Sequence, residues 1–136
     1  MTTFVLDSSA ILRYVDGDAG SGRVEELLTE CAAWKTELSI PAVQWGEIAG
    51  GLRKRFGSSR EVGMLSALLP SEVTVVPATA DRAVRAADLK VDKGISYADA
   101  FALDLAMDSP DHVLVTADYG FKDVEGLARI EFLPPK

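Results

Sequence analysis

The chain is short of the side chains that most often carry chemistry by themselves. Its 136 residues include one cysteine and one histidine. A lone Cys31 excludes an internal disulfide and a cysteine-based zinc site. Its helical setting, ELLTECAAW, reads as a buried structural thiol. A lone His112 cannot supply both members of an acid–base pair, and it opens a strand-like run, so no catalytic role is assigned to it. No apolar run approaches the ~20 residues that a membrane span needs. The N-terminal MTTFVLDSSA lacks the basic region and the cleavable apolar core of a signal peptide, so a cytoplasmic location is expected. There is no repeat, no low-complexity segment and no glycine-rich phosphate loop of either common pattern. Positive charge is in deficit, with 14 Lys and Arg against 21 Asp and Glu and a net charge of −7. That balance argues weakly against broad, nonspecific nucleic-acid binding. It leaves room for an enzyme that concentrates acids around a metal. The basic residues are also uneven, with Arg53, Lys54, Arg55 and Arg60 crowding one stretch.

Apolar residues make up 48% of the chain, enough for one core, and the length suits a single domain over residues 1–136. Strand-like runs occur at 3–6, 37–41, 73–77, 112–116 and 128–133. The segments between them have helical patterning. Val24, Leu27, Leu28 and Cys31 fall on one face of a helix over 22–34. Pro41 opens the next helix, where a proline fits the first turn, and that helix ends near residues 56–57. A further helix is expected over about 59–69. Thr79 is a candidate N-cap and Gly94 a candidate stop for a helix that carries Val84, Ala87 and Val91 on one face. Ser8 or Ser9 is a candidate N-cap for the first helix. Trp34, Trp45 and Phe56 read as core or interface residues. Strands alternating with helices, and strands apolar on both faces, predict the α/β class: a three-layer α/β/α sandwich with a mostly parallel five-stranded sheet.

In such sheets ligands bind beyond the carboxyl ends of the strands. Four acids stand at joints that reach this edge: Asp7 in FVLDSSA, Glu47 in SIPAVQWGEI, Asp99 in SYADAFALDLA and Asp118 in VLVTADYGF. Taken singly, each has an ordinary explanation. Asp7 can cap a helix. Asp99 completes a capping box with Ser96. Asp118 can bond nearby backbone in a turn. Glu47 fits a bland reading worst, because Val43, Ile48 and Gly51 place it on or beside the inward face, where an unpaired carboxylate is costly. Together the four would repel, each pair at about 4 Å and an effective dielectric near 20 costing roughly 4 kcal/mol. A divalent cation relieves that repulsion, and metal among carboxylates commonly serves phosphate chemistry. Asp104 lies about 140° round the helix from Asp99 and is left outside the set, with Asp108 and Asp123.

These motifs, in this order along the whole chain, resemble the PIN-domain ribonucleases, and within them the VapC-type toxins of type II toxin–antitoxin systems. The motifs are Asp7-Ser8-Ser9-Ala10, Ser39-Ile40-Pro41-Ala42-Val43 leading to Glu47, Ser96-Tyr97-Ala98-Asp99-Ala100-Phe101, and Leu114-Val115-Thr116-Ala117-Asp118 followed by Phe121. The resemblance implies a PIN-like fold with Asp7, Glu47, Asp99 and Asp118 in one negative pocket, supported by hydroxyls at Ser8 or Ser9, Ser96 and Thr116. It implies Mg²⁺- or Mn²⁺-dependent cleavage of RNA by activated water, leaving 5′-phosphate and 3′-hydroxyl ends. Asp7 and Asp99 would hold the principal ion, Asp118 would contribute directly or through water, and Glu47 would orient a water or help a second ion. It further implies a VapB-like antitoxin that places an Arg or Lys in the acidic pocket, and a homodimer. Arg53, Lys54, Arg55 and Arg60 could contact RNA phosphates or simply solvate a helix end.

Two other enzyme readings stay open: a related metal-dependent phosphoesterase and a DNA nuclease. An Asp-x-Asp phosphatase is disfavoured, since residue 9 is Ser. A receiver-like signalling module would need a phosphoacceptor Asp at the end of the middle strand. Here VVPAT follows, with Asp81 only inside the next helix.

Overall fold

A computed structural model describes residues 1–58 and 61–136. The strands are β1 (Thr3–Leu6), β2 (Glu37–Pro41), β3 (Thr74–Val76), β4 (His112–Thr116) and β5 (Arg129–Phe132). The helices are α1 (Ser8–Asp16), α2 (Ser21–Ala32), α3 (Ala42–Phe56), α4 (Glu61–Leu68), α5 (Ala80–Lys93) and α6 (Tyr97–Ala106), with a 3₁₀ helix at Tyr119–Val124. All five strands are parallel, in the order β3-β2-β1-β4-β5. The expected three-layer sandwich is therefore present. No described helix is long and apolar enough to cross a membrane.

Parallel strands need helical crossovers, and those helices bury both faces of the sheet. Leu6 and Val115 face one layer and pack with Ile11, Leu27, Ile48 and Leu52 from α1, α2 and α3. Val5 and Leu114, the alternate residues, face the other layer and pack with Leu103, Ala106 and Phe121. The registers Pro41↔Val76, Leu6↔Val115 and Thr116↔Phe132 align the carboxyl ends of the strands along one edge. β1 is the central strand and β3 lies at the sheet's margin. A receiver-like arrangement puts its third strand in the middle of the sheet, so this order removes that alternative.

One local expectation is corrected and two are refined. Asp7, not Ser8 or Ser9, caps α1, its side chain accepting from Ala10 N–H. The carboxylate is already committed to this joint, and the two serine hydroxyls are drawn to acidic partners instead. On α5 the face carrying Val84, Ala87 and Val91 is exposed, Val84 at 62% and Val91 at 79%. The helix buries Ala86 against Ala100 and Phe101 of α6, because small alanines let the two helices approach closely. Trp34 is exposed and holds a positive φ of 60°, while Trp45 and Phe56 pack against the larger core as expected. Thr79 and Gly94 bound α5 as read from sequence, and Cys31 is buried.

Asp104 confirms its place outside the acid set. It is buried on α6 and takes hydrogen bonds from Arg82 and Arg85 of α5, at 3.0 Å and 2.7 Å. Arg82 also reaches Asp108. This network joins α5 to α6 through the buried Asp104, while Arg82 also keeps Asp108 and Arg85 is half exposed. Asp104→Asn should lower unfolding free energy by about 1 kcal/mol, measured by urea denaturation. Any turnover per folded molecule should stay within about twofold, because a group that does not touch the reacting atoms removes no transition-state contact.

Candidate active site

The strand order reverses between β1 and β4, and open parallel sheets place their ligands in the crevice at such a reversal. Asp7 leaves the end of β1 and Asp118 follows β4 by two residues, so both stand at this point. Asp7 is nearly inaccessible, at 2% exposure. Its Oδ1 accepts from Ser9 Oγ at 2.7 Å and from Ala10 N at 3.0 Å. Its Oδ2 accepts from Thr116 Oγ1 at 2.5 Å. Each carboxylate oxygen carries two acceptor sites, so Oδ1 is filled and Oδ2 keeps one. The two hydroxyls also brace the β4 side. Ser9 Oγ accepts from Ala117 N at 2.9 Å, and Thr116 Oγ1 accepts from Asp118 N at 2.9 Å.

Asp118 opens the 3₁₀ helix, and its Oδ1 accepts from Gly120 N at 2.8 Å. A Cβ on residue 120 would stand 3.0 Å from that oxygen. Glycine is thus what lets the backbone amide come so close to the carboxylate. Asp99 lies in the first turn of α6, and its N–H donates to Ser96 Oγ at 3.1 Å. The capping role expected of Ser96 is observed.

Burial pushes the Asp7 carboxyl up to about 6, against the lowering effect of its hydrogen bonds from Thr116, Ser9 and Ala10, and the charge of Asp118 raises it further. Asp99 is also pushed up to about 6, first by burial and then by the charges of Asp118 and Asp7. Asp7, Asp99 and Asp118 therefore sense one another, as like charges in a partly desolvated site must.

Glu47 reaches the same edge, and its Oε2 accepts from Ser8 Oγ at 3.2 Å. It is exposed, however, and lies beside the inward face, not on it. The buried stripe of α3 is Gln44, Ile48 and Leu52, and Glu47 precedes Ile48 by one residue, or 100° of turn.

Gln44 is the residue that sequence reasoning passed over. It is 1% exposed. Its Oε1 accepts from Ser8 N and its Nε2 donates to Ala98 O, both at 2.8 Å. One amide thereby ties the start of α1, which carries Asp7, to the start of α6, which carries Asp99. A glutamine three residues before Glu47 was visible, but nothing local marks it as buried and doubly bonded.

The basic stretch is divided. Arg55 turns back to Asp16 through Nε and Nη2, both at 2.7 Å. Arg53 and Lys54 lie on the exposed last turn of α3. Arg60 lies outside the described residues. His112 is far along β4 from the acids, with Nδ1 2.9 Å from Leu105 O.

Among the described residues no three acidic, histidine or cysteine side chains close on one point as a finished metal cage. Mg²⁺ does not require one, because it is commonly held by one or two carboxylates and keeps several waters. The donor set fits such an ion: all-oxygen, partly desolvated, with carboxyls whose charge is disfavoured in its absence. Asp99, Asp118 and the remaining acceptor site of Asp7 Oδ2 are the residues that would hold it.

A parallel α/β sheet with carboxylates gathered where its order reverses defines the class, and comparison with known proteins defines the family. A model of the PIN domain family matches residues 4–127. The chain belongs to the PIN domain family. Its fold is similar to that of a chain in VapBC2 from Rickettsia felis, solved bound to a DNA fragment from its promoter, with TM-score 0.71, 18% identity, and 97% of this chain and 99% of that one covered. It is similar to a chain of a toxin–antitoxin complex from Klebsiella pneumoniae, with TM-score 0.71, 20% identity, and 97% and 98% covered. It is also similar to VapC20 of Mycobacterium tuberculosis, a sarcin-ricin loop cleaving toxin, with TM-score 0.70, 22% identity, and 96% and 99% covered. No curated protein sequence matches the chain.

The raised carboxyls set a pH dependence. Between 3.8, the ordinary value, and about 6, folded Asp7 and Asp99 keep protons that the unfolded chain has lost. Fewer protons on the unfolded state mean stability that falls as pH rises through that window. In chelator, the melting midpoint of Asp99→Asn should therefore decline less between pH 4 and 6 than that of the parent protein. Parallel curves for the two would refute the crowded-carboxylate account.

Proposed function

We propose that this protein is an endoribonuclease and the toxin of a toxin–antitoxin pair. It hydrolyses RNA phosphodiesters with Mg²⁺ or Mn²⁺, leaving 5′-phosphate and 3′-hydroxyl ends. The observation that carries the reading is the electrostatic coupling of Asp7 and Asp99 with Asp118 around the sheet's reversal point, with Asp7 and Asp99 both pushed up to about 6. Membership of the PIN family and a fold shared with VapBC chains and with an RNA-cleaving toxin support it.

A bound divalent ion would supply a water of lowered pKa and a charge that stabilises the phosphoryl oxygens. The chain's own residues do the rest. Asp7, fixed by Ser9 and Thr116, presents one oxygen in one orientation. Asp99 and Asp118 are held by Ser96 and by Gly120 N–H. Glu47, exposed and steadied by Ser8, orients the attacking water from the rim. Arg53 and Lys54 offer cations to the RNA backbone, supported by their exposed place at the end of α3, while the Arg55 charge is offset by Asp16. The partners are RNA, a cognate VapB-like antitoxin that places an Arg or Lys among the acids, and a second copy of the chain. Exposed Val84 and Val91 give apolar surface for protein contacts. The reaction belongs in the cytoplasm.

The test is incubation of the purified protein with total RNA, and separately with DNA and a phosphomonoester, in Mg²⁺, Mn²⁺ or chelator. RNA cuts with 5′-phosphate ends are expected, dependent on metal. Asp99→Asn and Asp7→Asn should each reduce them by about a hundredfold or more, the scale of losing a main electrostatic stabiliser. Cleavage of DNA alone, or undiminished RNA cleavage in both variants, would overturn the reading.

A further inference from the structure

Beside the acid cluster lies a cavity of about 420 Å³. Its lining includes Ser9 and Asp118, which belong to the cluster, together with Arg13, Tyr119, Lys136 and the ion-paired Arg55 and Asp16. The acids alone would repel a polyanionic substrate, so the cations in this adjoining space bear on how such a substrate is held.

Arg13 is bound unlike most of the other arginines. Arg23 pairs with Glu26 and Glu131, Arg55 with Asp16, Arg82 with Asp104 and Asp108, and Arg85 with Asp104. Each of those guanidiniums has its charge offset by a carboxylate. Arg13 instead donates from Nη1 to Ala19 O at 2.7 Å and to Pro134 O at 2.8 Å. Carbonyl oxygens orient a guanidinium without cancelling its charge. Both bonds leave from the same nitrogen. The Nε–Nη2 edge, the fork that fits two oxygens of a phosphate, takes no partner among the described residues. The side chain is also half-buried, so its orientation is fixed before any ligand arrives, which lowers the entropy lost on binding.

The walls around it are firm. Tyr119 stacks on Phe132 with ring centroids 5.5 Å apart, and its hydroxyl donates to Leu133 O. Arg55 is held by Asp16, which offsets its charge. Lys136 is exposed and pairs with Asp18 at 3.2 Å.

We infer that this cavity is a phosphate subsite. Arg13 receives, on its Nε–Nη2 edge, a backbone phosphate of the RNA next to the one that is cleaved, and so sets the position of the strand over Asp118. The inference rests on the ribonuclease reading and names how that substrate is held.

The test uses an oligoribonucleotide carrying a mapped cut site and a series of the same oligonucleotide in which one flanking phosphate at a time is replaced by a neutral methylphosphonate. Arg13→Gln should raise KM about tenfold, change kcat less than about threefold, and lower the slope of log affinity against log salt by about 1, as loss of one phosphate contact does. One methylphosphonate should raise KM of the parent protein by a similar factor and add nothing in Arg13→Gln. A purely structural role for Arg13 would not give that non-additivity. If Arg13→Gln fails to fold, the methylphosphonate series on the parent protein decides. Cleavage whose KM ignores every flanking methylphosphonate, or responds equally in both proteins, overturns the subsite alone. A parent protein that cuts no RNA overturns the ribonuclease reading and the subsite with it.

Discussion

The hydrogen bond from Thr116 Oγ1 to Asp7 Oδ2, at 2.5 Å, joins the ends of the two strands between which the sheet order reverses. Much of the site depends on it. Asp7 is held nearly out of solvent, where a bare carboxylate is costly unless its oxygens are bonded. Thr116, Ser9 and Ala10 N–H supply those bonds, and the two hydroxyls also accept from Asp118 N and Ala117 N. The same contacts that make burial of Asp7 tolerable therefore fix the backbone that carries Asp118. Gln44 does the corresponding work between α1 and α6. The acid cluster is built by hydroxyls and one amide that never need to touch a substrate.

Electrostatics gives this arrangement its chemical direction. Burial and neighbouring carboxylate charge disfavour the charged forms of Asp7 and Asp99. The fold tolerates this because stability is drawn from elsewhere, namely two apolar layers on the faces of the sheet and the Asp104–Arg82–Arg85 network between α5 and α6. A divalent ion is the natural counter-charge for such a cluster. Arg13, whose charge is oriented by carbonyls and left intact, gives a polyanion a footing beside it.

Much of this was legible in the chain. Unbroken apolar runs marked β1 and β4, since parallel strands buried on both faces cannot alternate with polar residues, whereas β2 and β5 alternate polar residues with Leu38, Ile40, Ile130 and Phe132. Asp7, Asp99 and Asp118 were visible because each follows or caps an element where the sequence pattern changes. The errors have a common origin. Local rules place a side chain on its own element but do not say which face that element presents to its neighbours. Glu47 was judged by apolar neighbours along the helix. In the folded chain α3 turns Gln44, Ile48 and Leu52 inward, and α5 turns Ala86.

The sequence by itself determined the alternation of strands and helices, the joints at which acids stand, and the hydroxyls near them. These follow from patterns within about a turn or a strand length. Only the tertiary structure decided the strand order that sets β1 beside β4, the 109-residue span closed by Thr116 and Asp7, and the bond from Gln44 to Ala98 across 54 residues. Contacts between such distant positions are chosen by packing of whole layers, which no local propensity encodes.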